Sequence, residues 1–198
     1  MNTPVITVNN EGSGFDEALA LSEKLGLSCG LDKKQNLRLR LLTEELFGLV
    51  RNIAGELNGS FSIEYEGRSF ILSLDANVNL TSEMREQFLS VSSSGENEAA
   101  VGFMGKICDM ISSVLLSTNS NSTMLQAGLM CPGAPSDAFI STQNYEWYLK
   151  RYRDSVDGTS NEDARDDLER SIVANIADDI SIRIIGSTVG VRIYKIFT

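Results

Sequence analysis

Histidine is absent from all 198 residues of the chain. That absence excludes Ser-His-Asp and Cys-His catalysis and every imidazole-ligated metal centre. Cysteine is scarce too: Cys29, Cys108 and Cys131 are widely spaced, odd in number and without a Cys-x-x-Cys pair. Neither a disulfide framework nor a thiolate zinc site is expected from them. No apolar run reaches the roughly 20 residues that a membrane helix needs, and no basic flank leads into the apolar stretch of a secretion signal. The expected location is cytoplasmic and reducing, with no membrane partner. Positive charge is the last shortage, with 17 Lys and Arg against 27 Asp and Glu and a net charge of −10. Nucleic acid is therefore not expected as a partner, because a polyanion would be repelled.

An apolar content of 42% is enough for a sizeable core, and residues 1–198 are read as one domain. Its most informative stretch is Leu37 to Leu57, where Leu39, Leu42, Leu46, Leu49, Val50, Ile53 and Leu57 recur at helical spacing. Glu44, Gly48, Arg51 and Asn52 share a different face of that helix, either as a functional row or as a solvated one. Asp32 followed by Gln35 forms a capping box before it. Val5 to Val8 alternates as a strand and Phe15 to Leu25 has helical spacing. FSIEY and RSFILSLD predict a hairpin turning at Glu66 and Gly67 and closing at Asp75. Thr81 or Ser82 caps a further helix through Leu89, and Val101 to Leu115 gives another. Ser117 to Pro135 reads as loop, YEWYLKRYR as an amphipathic helix or docking segment packed internally, and Asp154 to Asp167 as an exposed acidic run. Leu168 to Ala177 predicts a short helix, and two terminal strands join across Gly186 and Ser187.

The expected fold class is α+β: a two-layer sandwich of helices on a mostly antiparallel sheet, with an irregular and acidic insertion over residues 117–170. No Gly-x-Gly-x-x-Gly or P-loop pattern points to a Rossmann or P-loop domain.

Three stretches in sequence order, TEELFGLVRN, LSLDANVNL and SSSGENEAAVGFMGKICDM, resemble the GHKL superfamily of ATP-binding domains and its anti-sigma regulatory kinases. The resemblance covers most of the chain apart from 117–170. It implies Glu44 as catalytic base, with Gly48 where the family has a magnesium-orienting Asn and Asn52 at a polar position one turn on. It implies Asp75 as acceptor from the adenine amino group, a role that suits an ionised, acceptor-only carboxylate. Asn77 and Asn79 stand where the family has two glycines. Gly102 and Gly105 would let phosphates approach a helix start, and Lys106 would add positive charge. The function so implied is an ATP- and magnesium-using regulatory protein that transfers phosphate to a Ser or Thr of a partner protein, and a homodimer. The alternative is a protein-interaction module, independent of nucleotide, that keeps the fold without the catalytic site. Read without the resemblance, Glu44 is a wetted helix residue, Asp75 closes a strand, and the glycines serve packing.

Overall fold

Period-two alternation of apolar residues gives each strand one buried and one wetted face, and six such strands form one antiparallel sheet in the computed structural model. The structure describes residues 1–52, 56–79, 103, 105–107, 110–111, 114–115, 145–158 and 162–198. The described elements begin with β1 (Ile6–Asn9), α1 (Phe15–Ser28), α2 (Lys33–Asn52), β2 (Glu56–Glu66) and β3 (Ser69–Asn79). After them come β4 (Tyr145–Tyr148), α3 (Leu149–Asp157), α4 (Glu162–Arg170), α5 (Ile172–Ile176), β5 (Asp179–Ile185) and β6 (Thr188–Ile196). Between β3 and β4, Phe103, Ile107, Met110, Ile111, Val114 and Leu115 are helical and buried. The chain is thus a mixed α+β fold with a six-stranded antiparallel sheet flanked by helices.

The sheet order is β1-β2-β3-β6-β5-β4, so the C-terminal hairpin lies in the middle of the sheet, with β6 against β3. Gly67 and Gly186 open the two tight hairpin loops at φ 58° and 59°, where a residue with a Cβ would be strained. On β3, Phe70, Leu72, Leu74, Ala76 and Val78 are buried while Asp75, Asn77 and Asn79 are exposed. The same alternation sends Ile180, Ile182 and Ile184 of β5 and Val189, Val191 and Ile193 of β6 into the core. Leu39, Leu42, Leu46, Phe47 and Leu49 of α2 meet them there, in one continuous cluster with Ala18 and Leu25 of α1. Phe47 stands edge-on to both Phe15 and Phe61, with centroids 5.4 and 5.5 Å apart. Burial of this apolar surface is the main force holding helices to sheet.

Local signals set several boundaries as expected. The capping box of α2 is reciprocal: Gln35 N donates to Asp32 Oδ1 at 2.8 Å and Asp32 N to Gln35 Oε1 at 3.1 Å. Other boundaries moved. Leu57 belongs to β2 rather than to α2, and β2 starts before Asn58 and Gly59 instead of after them. Gly59 pairs with Val8 on one side and Ala76 on the other, and a Cβ there would come within 2.7 Å of both Ala76 Cβ and Asp75 O. Here glycine marks close approach and not a break. β3 runs past Asp75 to Asn79, because Asn77 still pairs with Asn58 and Thr188.

The start of YEWYLKRYR is a strand. Tyr145 and Trp147 point inward and pair with Ile184 and Ile182, and helix α3 begins only at Leu149. Trp147, Tyr152 and Phe103 lean together with centroids 5.9 to 6.1 Å apart, and that apolar contact favours the extended geometry. The stretch expected to be irregular over 117–170 contains β4, α3 and α4 among its described residues. Among the described residues of the acidic run, Asp154–Asp157 belongs to α3 and Glu162–Asp167 to α4, with Ala164 buried. Leu168 to Ala177 is divided between α4 and α5 at Ser171, whose side chain accepts from Ala174 N and so caps α5. The expected helix at 81–89 and the loop at 117–135 lie outside the described residues.

Candidate functional site

Helical periodicity that buries Leu39, Leu42, Thr43, Leu46 and Phe47 necessarily turns Glu44 and Gly48 to the outer side of α2. Glu44 lies 3.6 Å from Arg40 one turn back, and Arg40 lies 3.5 Å from Glu23 of α1. These are long, solvent-exposed pairs, worth at most about 1 kcal/mol each. Neighbouring Glu45 has its carboxyl pushed above the ordinary value of 4.5, first by burial and then by the negative charge of Glu44. At Gly48, a Cβ would meet nothing within 4 Å among the described residues. Asn52 ends α2, and its side chain lies outside the described residues.

Asp75 sits between two inward residues, Leu74 and Ala76, so the strand pleat turns it outward. It faces the side of the sheet opposite the core. Its Oδ2 accepts from Arg192 Nη2 at 2.8 Å, while Arg192 Nη1 donates to Leu74 O and Val191 O at 3.4 and 3.3 Å. Gly190 lies directly across from Asp75, and a Cβ there would stand 2.9 Å from Asp75 Oδ1. The carboxylate therefore rests where β6 has no side chain. On the same face Arg183 Nε donates to Glu146 Oε1 at 2.8 Å, linking β5 to β4. Ser73 is opposite Arg192 and buried, and its hydroxyl has no partner among the described residues.

Gly105 and Lys106 are both helical and half-buried, and Gly102 lies outside the described residues. Lys106 Nζ forms an ion pair with Asp167 of α4. Its charge is thereby directed to α4. Glu44 and Asp75 are not brought together: one is on the solvent side of the helical layer, the other on the far side of the sheet, and the core separates them. The sheet-face pairs Asp75–Arg192 and Glu146–Arg183 were not anticipated. A signal for the first exists in VGVRIY, where Gly190, Arg192 and Tyr194 alternate with the inward valines and Ile193. What the sequence could not supply is the register that sets Arg192 beside Asp75.

Among the described residues no group of three or more metal-ligating side chains occurs, and no helix is long and apolar enough to cross a membrane. Comparison with protein-family models, with curated proteins and with solved structures yields no match.

Proposed function

We propose that this chain is a protein-interaction module that works without nucleotide, its resemblance to the GHKL domains being one of fold. The observation that carries the reading is the separation of Glu44 from Asp75. A nucleotide held between the long helices and the sheet needs a carboxylate on the helix side to accept from adenine. Asp75 points the other way and is engaged by Arg192. Gly48 brings no side-chain oxygen to orient magnesium, and Lys106 is paired to Asp167. A regulatory protein with a positively charged surface suits a chain of net charge −10.

Isothermal titration with ATP and magnesium is expected to give no heat of binding up to about 1 mM, an affinity threshold near −4 kcal/mol. Capture of a protein partner is expected to be unchanged by ATP and by Asp75→Asn. Binding of ATP that Asp75→Asn abolishes would overturn this reading.

A second reading, an ATP- and magnesium-dependent serine/threonine kinase, is favoured by one observation: among the described residues nothing lies within 4 Å of a Cβ position at Gly48, one turn from Glu44. There Glu44 would take the proton from a partner's hydroxyl. Loss of phosphoryl transfer in Glu44→Gln, with ATP binding retained, is the result that would establish it.

A further inference from the structure

Five basic residues and a single acid, Asp32, fall between positions 24 and 40 of a chain whose net charge is −10. The fold gathers those five at one end of the helical layer. α1 and α2 run antiparallel, with Ser22 beside Thr43 and Gly26 beside Asn36, so the last turn of α1 lies level with the first turns of α2. Lys24, Lys33, Lys34 and Arg38 are exposed there, and none forms an ion pair with a described residue. Arg40, the fifth, lies 3.5 Å from Glu23. Arg68, from the turn between β2 and β3, joins the same end by donating to Gln35. Within this basic surface stand Leu27 of α1 and Leu37 of α2, 62% and 55% exposed. Lys24 and Leu27 are three apart, and Lys33, Leu37 and Leu41 are four apart, so cations and leucines share the same helix faces.

We propose that this end of the helical layer is a docking surface for an anionic membrane, on which the chain lies peripherally. The cations meet acidic lipid headgroups, while Leu27 and Leu37 enter the acyl boundary beneath them. Charge complementarity selects an anionic partner, and the leucines select among anionic partners. Side chains that stand out from a pair of helices need a partner that yields around them, as a bilayer does. The net charge, from which no membrane partner is expected, does not prevent this, because screening makes the attraction local. At about 0.15 M salt charges further apart than about 8 Å are largely screened. Asp16 and Glu17 lie about 10 to 12 Å along α1 from Lys24, and Glu44 and Glu45 about 9 to 18 Å along α2 from Lys33, Lys34 and Arg38. Of the nearer acids on the two helices, Asp32 caps α2 through Gln35 and Glu23 is paired with Arg40. The inference goes beyond the interaction module proposed above and does not depend on it, since a lipid vesicle carries no protein partner.

Flotation of the whole chain with vesicles of phosphatidylcholine alone, or with about 30% phosphatidylserine, in about 100 mM salt, reads the attachment directly. Binding is expected to the phosphatidylserine vesicles only, and to be lost in about 500 mM salt. Lys33→Glu combined with Lys34→Glu is expected to weaken partitioning at least about tenfold. Leu27→Ser combined with Leu37→Ser is expected to do the same without altering the charge, through the lost insertion. Lys150→Glu combined with Arg151→Glu changes the net charge by the same amount on α3 and is expected to leave partitioning within about twofold. All six positions are exposed, so unchanged circular dichroism confirms that the fold is intact. Absence of binding, equal binding to neutral vesicles, or an equal loss in the α3 variant would overturn the inference. So would capture of poly-glutamate by a chain that ignores vesicles, which assigns the surface to an acidic protein segment instead.

Discussion

At Gly59 an absent side chain decides how closely three strands can approach. The residue is flanked by Val8 and Ala76 in register, with β3 backbone and Ala76 Cβ both 2.7 Å from where a Cβ would be. Neither backbone nor a Cβ can swing aside as a long side chain can. Gly59→Ala is therefore expected to lower stability by about 2 to 3 kcal/mol, the range of overpacked core sites. Urea unfolding should show a lower midpoint with an unchanged slope; a loss under about 0.5 kcal/mol would mean that the strands can part at little cost. Gly48 contrasts with it, being a helix glycine with space around it among the described residues. Sequence alone singled out Gly48, by its place in the family pattern, but not Gly59, and does not tell a crowded glycine from an open one. That distinction depends on what the rest of the fold brings nearby.

Between α1 and α2 the contact is partly polar, which an apolar periodicity cannot reveal. Ser22 Oγ and Thr43 Oγ1 lie 2.7 Å apart, both fully buried, and each also reaches the carbonyl one turn back, at Ala18 and Leu39. Two hydroxyl hydrogens serve three hydrogen bonds, so the pair shares them. Thr43→Val is expected to cost about 1 kcal/mol, and the double change with Ser22→Ala less than the sum of the single changes by about 0.5 kcal/mol or more. Additive losses in thermal unfolding would show that each hydroxyl depends on its own carbonyl alone. Other elements were legible from local signals: the capping box of α2, and the hairpins at Gly67 and Gly186. The strand at Tyr145–Tyr148 was not, because four aromatic and acidic residues satisfy a helix and a strand equally until Ile182 and Ile184 pair with them.

Across the whole molecule the sheet order sets which parts hold most firmly. β3 and β6 have a paired strand on each side, whereas β1 and β4 are short strands with one neighbour among the described residues. Amide hydrogen exchange should be slowest in β3 and β6 and fastest in β1 and β4; protection of β4 equal to that of β3 would contradict this order. The sequence by itself determined the α+β class, the five strands other than β4 and the long helix with Glu44 on a face apart from its leucines. These follow from the helical and strand periods, which fix the faces of an element wherever it lies. Only the tertiary structure decided that β6 enters beside β3, which sets Arg192 against Asp75 across 117 positions of chain. Only it put the core between Asp75 and Glu44. A period tells which side chains share a face, while the choice of which faces meet belongs to packing between segments distant in sequence.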